Sequence, residues 1–470
     1  MQPLFIPTLF TGLAGPDGWL RNVRLEWDSE GVLTAILPGS SPEGCHTVAG
    51  CAVPGIPNLH SHAHQRAMAG LAERSGGQEK DSFWSWRTRM YGHLEAMTPD
   101  DLEAIAAQLY VEMVEAGYTA VGEFQYLHHQ PDGTPYADPA EMTLRCLAAA
   151  REVGIGFTAL PVFYAHGGFG GEAPTPGQRR FLHTVDAFLR LVERLEGEIR
   201  AAEGSVGIAP HSLRAVAPEE LTALVTAFHG RGPIHLHIAE QRKEVEDCLA
   251  WCGRRPVAWL LEQFAVDASW CLIHGTHLDD GEVRALAATG AVVGLCPTTE
   301  ANLGDGIFRA ADFLGAGGRI GIGSDSHISI SPVEELRWLE YGQRLITHQR
   351  NVLATENAPA HSSTGRRLLE VVLAGGAQAC GRGIGGIGGI GGLQPGARAD
   401  FVVLDTDHPL LMDRQGDELL DSWIFSGNRN LVQEVWIGGQ PIVQEGRHPR
   451  RDAIAARFQT TLQRLRRRTA

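Results

Sequence analysis

The sequence predicts an α/β protein: a (β/α)8 barrel of the TIM type beside a small composite β-sandwich assembled from both termini. Three observations lead there. Eight apolar, strand-like runs alternate with helical patterns through the middle of the chain, which is the signature of a parallel sheet that closes on itself. The two ends carry alternating strand patterns of similar character. Several of the central runs end in His or Asp, and the C-terminal ends of barrel strands are where such folds carry chemistry.

A chain of 470 residues suits one barrel of roughly 250 to 400 residues plus an accessory unit. Residues 1–53 form the first part of the sandwich: Asn22-Val23-Arg24-Leu25-Glu26-Trp27 alternates, Asp28-Ser29-Glu30-Gly31 turns, and Val32 to Leu37 follows. Residues 54–380 form the barrel, 381–450 return to the sandwich through 399–405 and 432–439, and 451–470 form a C-terminal helix. The barrel runs are a first one ending at His62, then 119–126, 156–164, 206–211, 234–239, 270–274, 291–296 and 319–324. Three helices announce their starts in Thr98-Pro99-Asp100-Asp101, Asp138-Pro139-Ala140-Glu141 and Ser331-Pro332-Val333-Glu334, each a cap, a proline and an acid three residues on.

The crossover from Ala63 to Thr98 is long and carries Asp81-Ser82-Phe83-Trp84-Ser85-Trp86-Arg87, which reads as a loop serving as lid or substrate clamp. The repeat from Gly381 to Gly392 lacks a Lys-Ser/Thr pair and precedes no helix, so it reads as a flexible link and not a phosphate cradle. The arginine run from Arg464 to Arg468 reads as a solvated helix end.

A formal net charge of -15 argues against nucleic acid or an anionic membrane as partner, because both need a basic footprint. No apolar run reaches the roughly 18 to 20 residues of a membrane span. The amino terminus contains two prolines and no basic leader, so it reads as a strand rather than a signal peptide. The eight scattered cysteines fit reduced, mostly buried thiols in the cytoplasm.

The chemistry starts at His60-Ser61-His62. On a strand, positions i and i+2 face the same way, so both imidazoles can share one metal ion. His235, His237 and Glu240 close a second run, His274 a third and Asp325 a fourth. Nitrogen and carboxylate donors without thiolate suit one divalent ion, Zn²⁺ first and Fe²⁺ or Mn²⁺ after it.

This pattern of His-x-His, His, His and Asp on successive strand ends resembles the amidohydrolase superfamily across nearly the whole chain. The resemblance implies a metal-dependent hydrolase. Two-metal members bridge their ions with a lysine from the fourth barrel strand; the only lysines here, Lys80 and Lys243, fall elsewhere, so the one-metal type related to cytosine and adenosine deaminases is implied. By similarity His60, His62, His237 and Asp325 bind the metal, Glu240 shuttles protons, and His274 contacts the activated water, while His235 lies a layer deeper.

The stretches 57–71, 82–87, 299–306 and 333–341 resemble, more finely, the formimidoylglutamate deiminase family of bacterial histidine degradation, which hydrolyses N-formimidoyl-L-glutamate to N-formyl-L-glutamate and ammonia. That resemblance implies substrate contacts from Gln65, Arg87, Tyr126, His211 and Arg214, a small dicarboxylate substrate, and a homodimer. Against the family pattern, His64 replaces an aromatic and the Gly-Gly-Ile repeat is an insertion. Two arginines suit two carboxylates because the planar guanidinium makes paired, charge-assisted bonds. The competing expectations are a one-metal deaminase of purines, pyrimidines or guanidino compounds, and a catalytically silent barrel acting as a scaffold.

Overall fold

The computed structural model describes residues 2–12, 18–73, 82–354, 362–381 and 391–469. Lys80, Asp81 and most of the Gly-Gly-Ile repeat therefore lie outside the described residues. The chain opens with strands β1 (Leu4–Phe10), β2 (Trp19–Trp27), β3 (Leu33–Leu37), β4 (His46–Thr47) and β5 (Cys51–Pro54). β5 is followed at once by β6 (Ile56–Ser61), so the apolar run before His62 is two strands and not one. The break falls at Gly55, where an added Cβ would sit 2.2 Å from the Thr119 side chain. On either side of that tight passage the chain changes sheets, β5 pairing with β1 and β6 with the barrel.

The barrel strands are β6, β7 (Tyr118–Gln125), β8 (Gly156–Phe163), the short β9 (Ser205–Val206) and β10 (Ala209–Pro210), then β11 (Ile234–Ile238), β12 (Trp270–His274), β13 (Val292–Leu295) and β14 (Arg319–Ile322). They match the eight runs read from sequence, the fourth being split in two. Parallel ladders join β6 through β10 and, separately, β11 through β14. The ring closes at two seams by single bridges: Ile208 with Ile234 and Ser212 with His237 on one side, Ser61 with Asp325 on the other. At the second seam Asp325 N donates to His60 O at 3.0 Å and His62 N to Asp325 O at 3.2 Å. Gly323 permits this approach, since a Cβ there would lie 2.8 Å from the His60 backbone. The closure thus brings two predicted metal ligands face to face.

After the barrel the chain returns as β15 (Phe401–Leu404), β16 (Val432–Ile437) and β17 (Gln440–Val443). These join the amino-terminal strands in one eight-stranded sheet of order β17-β16-β15-β5-β1-β2-β3, with β4 beside β1. The sheet folds over on itself: Val32 bridges to Arg398, and Trp27 meets Trp436 edge to face at 6.0 Å. Between its halves lie Leu4, Ile6, Val23, Leu25, Phe401 and Val403, a core separate from that of the barrel.

Two of the three predicted caps hold. Thr98 and Asp101 form a reciprocal capping box on the helix Pro99–Ala116, and Ser331 accepts from Glu334 N at the start of Pro332–Thr347. The third helix starts later, at Glu141, because Asp138 turns the chain by accepting from Ala140 N at 2.9 Å and also pairs with Arg194. The larger correction concerns the long crossover, where Phe83–Leu94 is a helix and not a loop. The C-terminal helix Arg451–Thr469 docks on Pro99–Ala116, where Arg451 reaches Glu115 at 3.0 Å. No helix among the described residues is long and apolar enough to cross a membrane.

Candidate active site

The four expected metal ligands meet at the C-terminal rim of the barrel, all buried. His60 Nε2 and His237 Nε2 stand 3.0 Å apart, and Asp325 Oδ1 lies 3.2 Å from His62 Nε2 and 3.5 Å from His60 Nε2. Backbone carbonyls hold two of the rings: His62 Nδ1 donates to Phe124 O at 2.9 Å and His237 Nδ1 to His211 O at 3.0 Å. With Nδ1 protonated, each Nε2 presents its lone pair to the centre, which is how metal-binding histidines are oriented. Burial drives the His60 pKa down to about 3, so that ring is neutral. Asp325, despite burial that raises it, is held well below the carboxylate range by His60 and His62. A buried carboxylate held ionised among three imidazoles, of which burial keeps His60 and His237 neutral, is a donor set that fits one divalent metal.

His274 and Glu240 complete the rim. His274 Nε2 is 3.7 Å from Glu240 Oε1 and 3.9 Å from Asp325 Oδ2. Burial depresses the His274 pKa, but Glu240, Glu300 and Asp325 together outweigh it and lift the value to about 10. Burial raises Glu240. His274 and Asp325 both have left-handed backbone, φ +70° and +44°, so the chain bends sharply where each side chain turns toward the centre.

Sequence reasoning missed four residues here. Glu300 is buried and accepts from His274 Nδ1 at 3.2 Å and from Cys296 N at 2.9 Å, so it fixes the His274 ring. Glu123 accepts from Ser61 Oγ at 2.6 Å, Ala63 N at 2.7 Å and Tyr110 Oη at 3.0 Å, fastening the chain on both sides of His62. His327 accepts from His62 N at 3.2 Å. Cys296 places its sulfur within 4.8 Å of donor atoms of His274 and Asp325. Burial raises its thiol well above the ordinary range. The signal available for Glu300 was an acid four residues beyond the end of a barrel strand run. Among the other expectations, His235 is fully buried one layer down and bonds Ala379 O at 2.8 Å, as its position implied. Lys243 sits on the exposed side of the helix Arg242–Cys252, paired with Asp247 at 2.6 Å.

Gln65, Arg87, Tyr126, His211 and Arg214 all line one cleft that also reaches His62, His237, Glu240, His274 and Asp325. Tyr126 Oη accepts from Gln65 Nε2 at 2.9 Å and pairs with His64 Nε2 at 2.8 Å, while Gln65 Oε1 is buried without a partner. Arg214 is buried, yet Glu240 and Glu244 stand 3.9 and 3.8 Å away, too far for hydrogen bonds. Its Nε has no acceptor. Arg87, on the helix over the cleft, has no carboxylate partner among the described residues and lies over Trp84 at 4.5 Å. The cleft therefore combines two guanidiniums, neither hydrogen-bonded to a carboxylate among the described residues, with residues of the ligand cluster.

A model of the amidohydrolase family matches residues 51–442. The chain belongs to the amidohydrolase family. Within the family it is similar to the formimidoylglutamate deiminase of Pseudomonas aeruginosa, 53% identical over 94% of this chain and 96% of that one. It is also 28% identical to the 5-methylthioadenosine/S-adenosylhomocysteine deaminase of Haloarcula marismortui, over 77% of this chain and 74% of that one. Among solved structures, an amidohydrolase from Brucella melitensis aligns with TM-score 0.92 and 48% identity over 99% of this chain and 100% of that one. An adenosine deaminase from Xanthomonas campestris aligns with TM-score 0.80 at 20% identity over 99% of this chain and 98% of that one, which shows the shared amidohydrolase fold.

Proposed function

We propose that this amidohydrolase is a hydrolytic deiminase that converts N-formimidoyl-L-glutamate and water to N-formyl-L-glutamate and ammonia in histidine degradation. The observation that carries the reading is the pairing, in one cleft, of a buried His60-His62-His237-Asp325 cluster with Arg87 and Arg214, whose guanidiniums make no hydrogen bond to a carboxylate among the described residues and suit two carboxylates of a ligand. The 53% identity to a formimidoylglutamate deiminase supports it independently. A nucleobase needs stacking and edge contacts, and two cations in the cleft would serve it poorly.

His60, His62, His237 and Asp325 would hold the metal, for which zinc suits the nitrogen and carboxylate donors best. Bound there, a divalent ion supplies Lewis acidity and makes water available as a nucleophile near neutral pH. His274, fixed through Nδ1 by Glu300, holds that water through Nε2. Glu240 takes a proton from water at a carboxylate oxygen as it attacks the formimidoyl carbon, delivers it to the terminal nitrogen, and then carries the proton of the new hydroxyl to the same nitrogen. The bond from carbon to that nitrogen breaks and ammonia leaves, while the carbonyl of the formyl group forms. Arg87 and Arg214 orient the glutamate skeleton, and Gln65, Tyr126 and His211 line the passage between.

The enzyme works in the cytoplasm as a homodimer in this reading. No disulfide joins any of the eight cysteines, which suits a reducing compartment, and the exposed Trp338 and Leu345 of Pro332–Thr347 offer apolar surface for a subunit contact. Light scattering of the purified protein checks the dimer. The function is tested by incubating metal-loaded protein with N-formimidoyl-L-glutamate and following products by NMR. Equimolar ammonia and N-formyl-L-glutamate are expected, and an unchanged substrate would refute the assignment.

A further inference from the structure

Trp84 stands behind the two arginines and is not among the residues that line the cleft. Three cations converge on its indole. The guanidinium carbon of Arg87 lies 4.5 Å from the ring centroid, that of Arg214 lies 5.8 Å away, and the Lys243 ammonium is also 5.8 Å away. They come from three parts of the rim: the helix Phe83–Leu94 itself, the segment after β10, and the helix Arg242–Cys252 that follows Glu240. Like charges gathered at one mouth repel, and the negative face of an indole offsets that repulsion.

The mode of contact matters as much as its sign. A guanidinium stacked on a ring is held by its face, so the N–H donors at its edge stay free for a carboxylate. Arg87 depends on this most, because only the rings of Trp84 and, at 5.7 Å, Tyr91 approach it as partners among the described residues. Arg214 has Glu240 and Glu244 nearby at salt-bridge range, and Trp84 adds a third, neutral support.

We infer that Trp84 is a positioning residue for substrate selection: it sets the spacing and tilt of the Arg87 and Arg214 guanidiniums, so that recognition of two carboxylates in one ligand depends on a single indole. The inference rests on the dicarboxylate reading given above. It also ties the mouth helix to the barrel, since the same ring joins Phe83–Leu94 to residues on both sides of β11.

The test compares wild type, Trp84→Leu and Trp84→Phe as metal-loaded holoenzymes. It uses calorimetric binding of glutarate, a plain dicarboxylate, together with steady-state turnover of N-formimidoyl-L-glutamate. Trp84→Leu is expected to weaken glutarate binding and raise KM about tenfold, with kcat lowered less than about threefold. Trp84→Phe, which keeps a ring face, recovers most of the loss. Unchanged KM and glutarate affinity in Trp84→Leu would overturn the inference, as would an equal fall in kcat for both variants without recovery by Phe. Glutarate binding that follows the expected order without any turnover would keep the role of Trp84 and discard the deiminase reading. A wild type that binds no glutarate would discard both.

Discussion

The ligand cluster and the arginine pair face one cleft, and they are built in different ways. At the cluster the side chains leave strand ends, and backbone holds the His62 ring through Phe124 O, the His237 ring through His211 O, and the chain at Asp325 through the seam to His60. At the mouth, Arg87 rides on a half-buried helix and is held by ring faces alone. The difference teaches that the reacting end is rigid through the barrel itself, while the selecting end is set by side chains that can change without disturbing the strands. Chemistry and substrate choice are therefore separable by mutation.

The largest expected effect is at the cluster. His237→Ala should reduce bound metal to a small fraction of one ion per chain and lower activity at least about 10⁴-fold, with metal content read by elemental analysis. Full metal occupancy in that variant would remove His237 from the ligand set. Next, Glu240→Gln should keep the metal and the KM but lower kcat about 10³-fold, because the carboxamide keeps the shape and loses the transferable proton. A parallel rise in KM would instead mark it as a binding group.

At the mouth the sign pattern reverses. Arg214→Met and Arg87→Met should each raise KM about 30-fold through loss of a charge-assisted carboxylate contact, leaving metal content at the wild-type level. Loss of metal in either would break the separation of the two ends. The smallest effect tests the seam that holds the rigid end together. Gly323→Ala should lower stability by about 1–3 kcal/mol, measured by denaturant unfolding, because its Cβ would press on the His60 backbone.

The same contrast governs what could be read from sequence. The rim ligands were legible because a strand fixes which way each residue points, so His60 and His62 declare a shared face and the later runs supply the rest. The eight barrel strands were legible for the same reason, even where the fourth divides. The mouth helix was not: Phe83-Trp84-Ser85-Trp86-Arg87 is aromatic at nearly every other position and shows no 3.6-residue period, so it reads as loop. Only the cap at Ser82, whose backbone N–H bonds Ser85 Oγ at 2.9 Å, marks the start. Glu300 escaped because an acid four residues beyond a strand run gains its role only when the helix Pro297–Leu303 turns it back toward His274, a tertiary relation. At Asp138 the proline suggested a first helical turn, but the carboxylate pair with Arg194 holds a separate turn and delays the helix.

The central claim is that one metal-centred cluster acts on a substrate chosen by two arginines. It is tested most directly by kcat/KM of metal-quantified protein for N-formimidoyl-L-glutamate, N-formimidoyl-L-aspartate and cytosine, read as ammonia release. The account predicts about one metal per chain and a clear preference for the glutamate compound, with the aspartate compound behind it and cytosine essentially inert. Equal or better turnover of cytosine, or ammonia release that persists after the metal is removed, would contradict it.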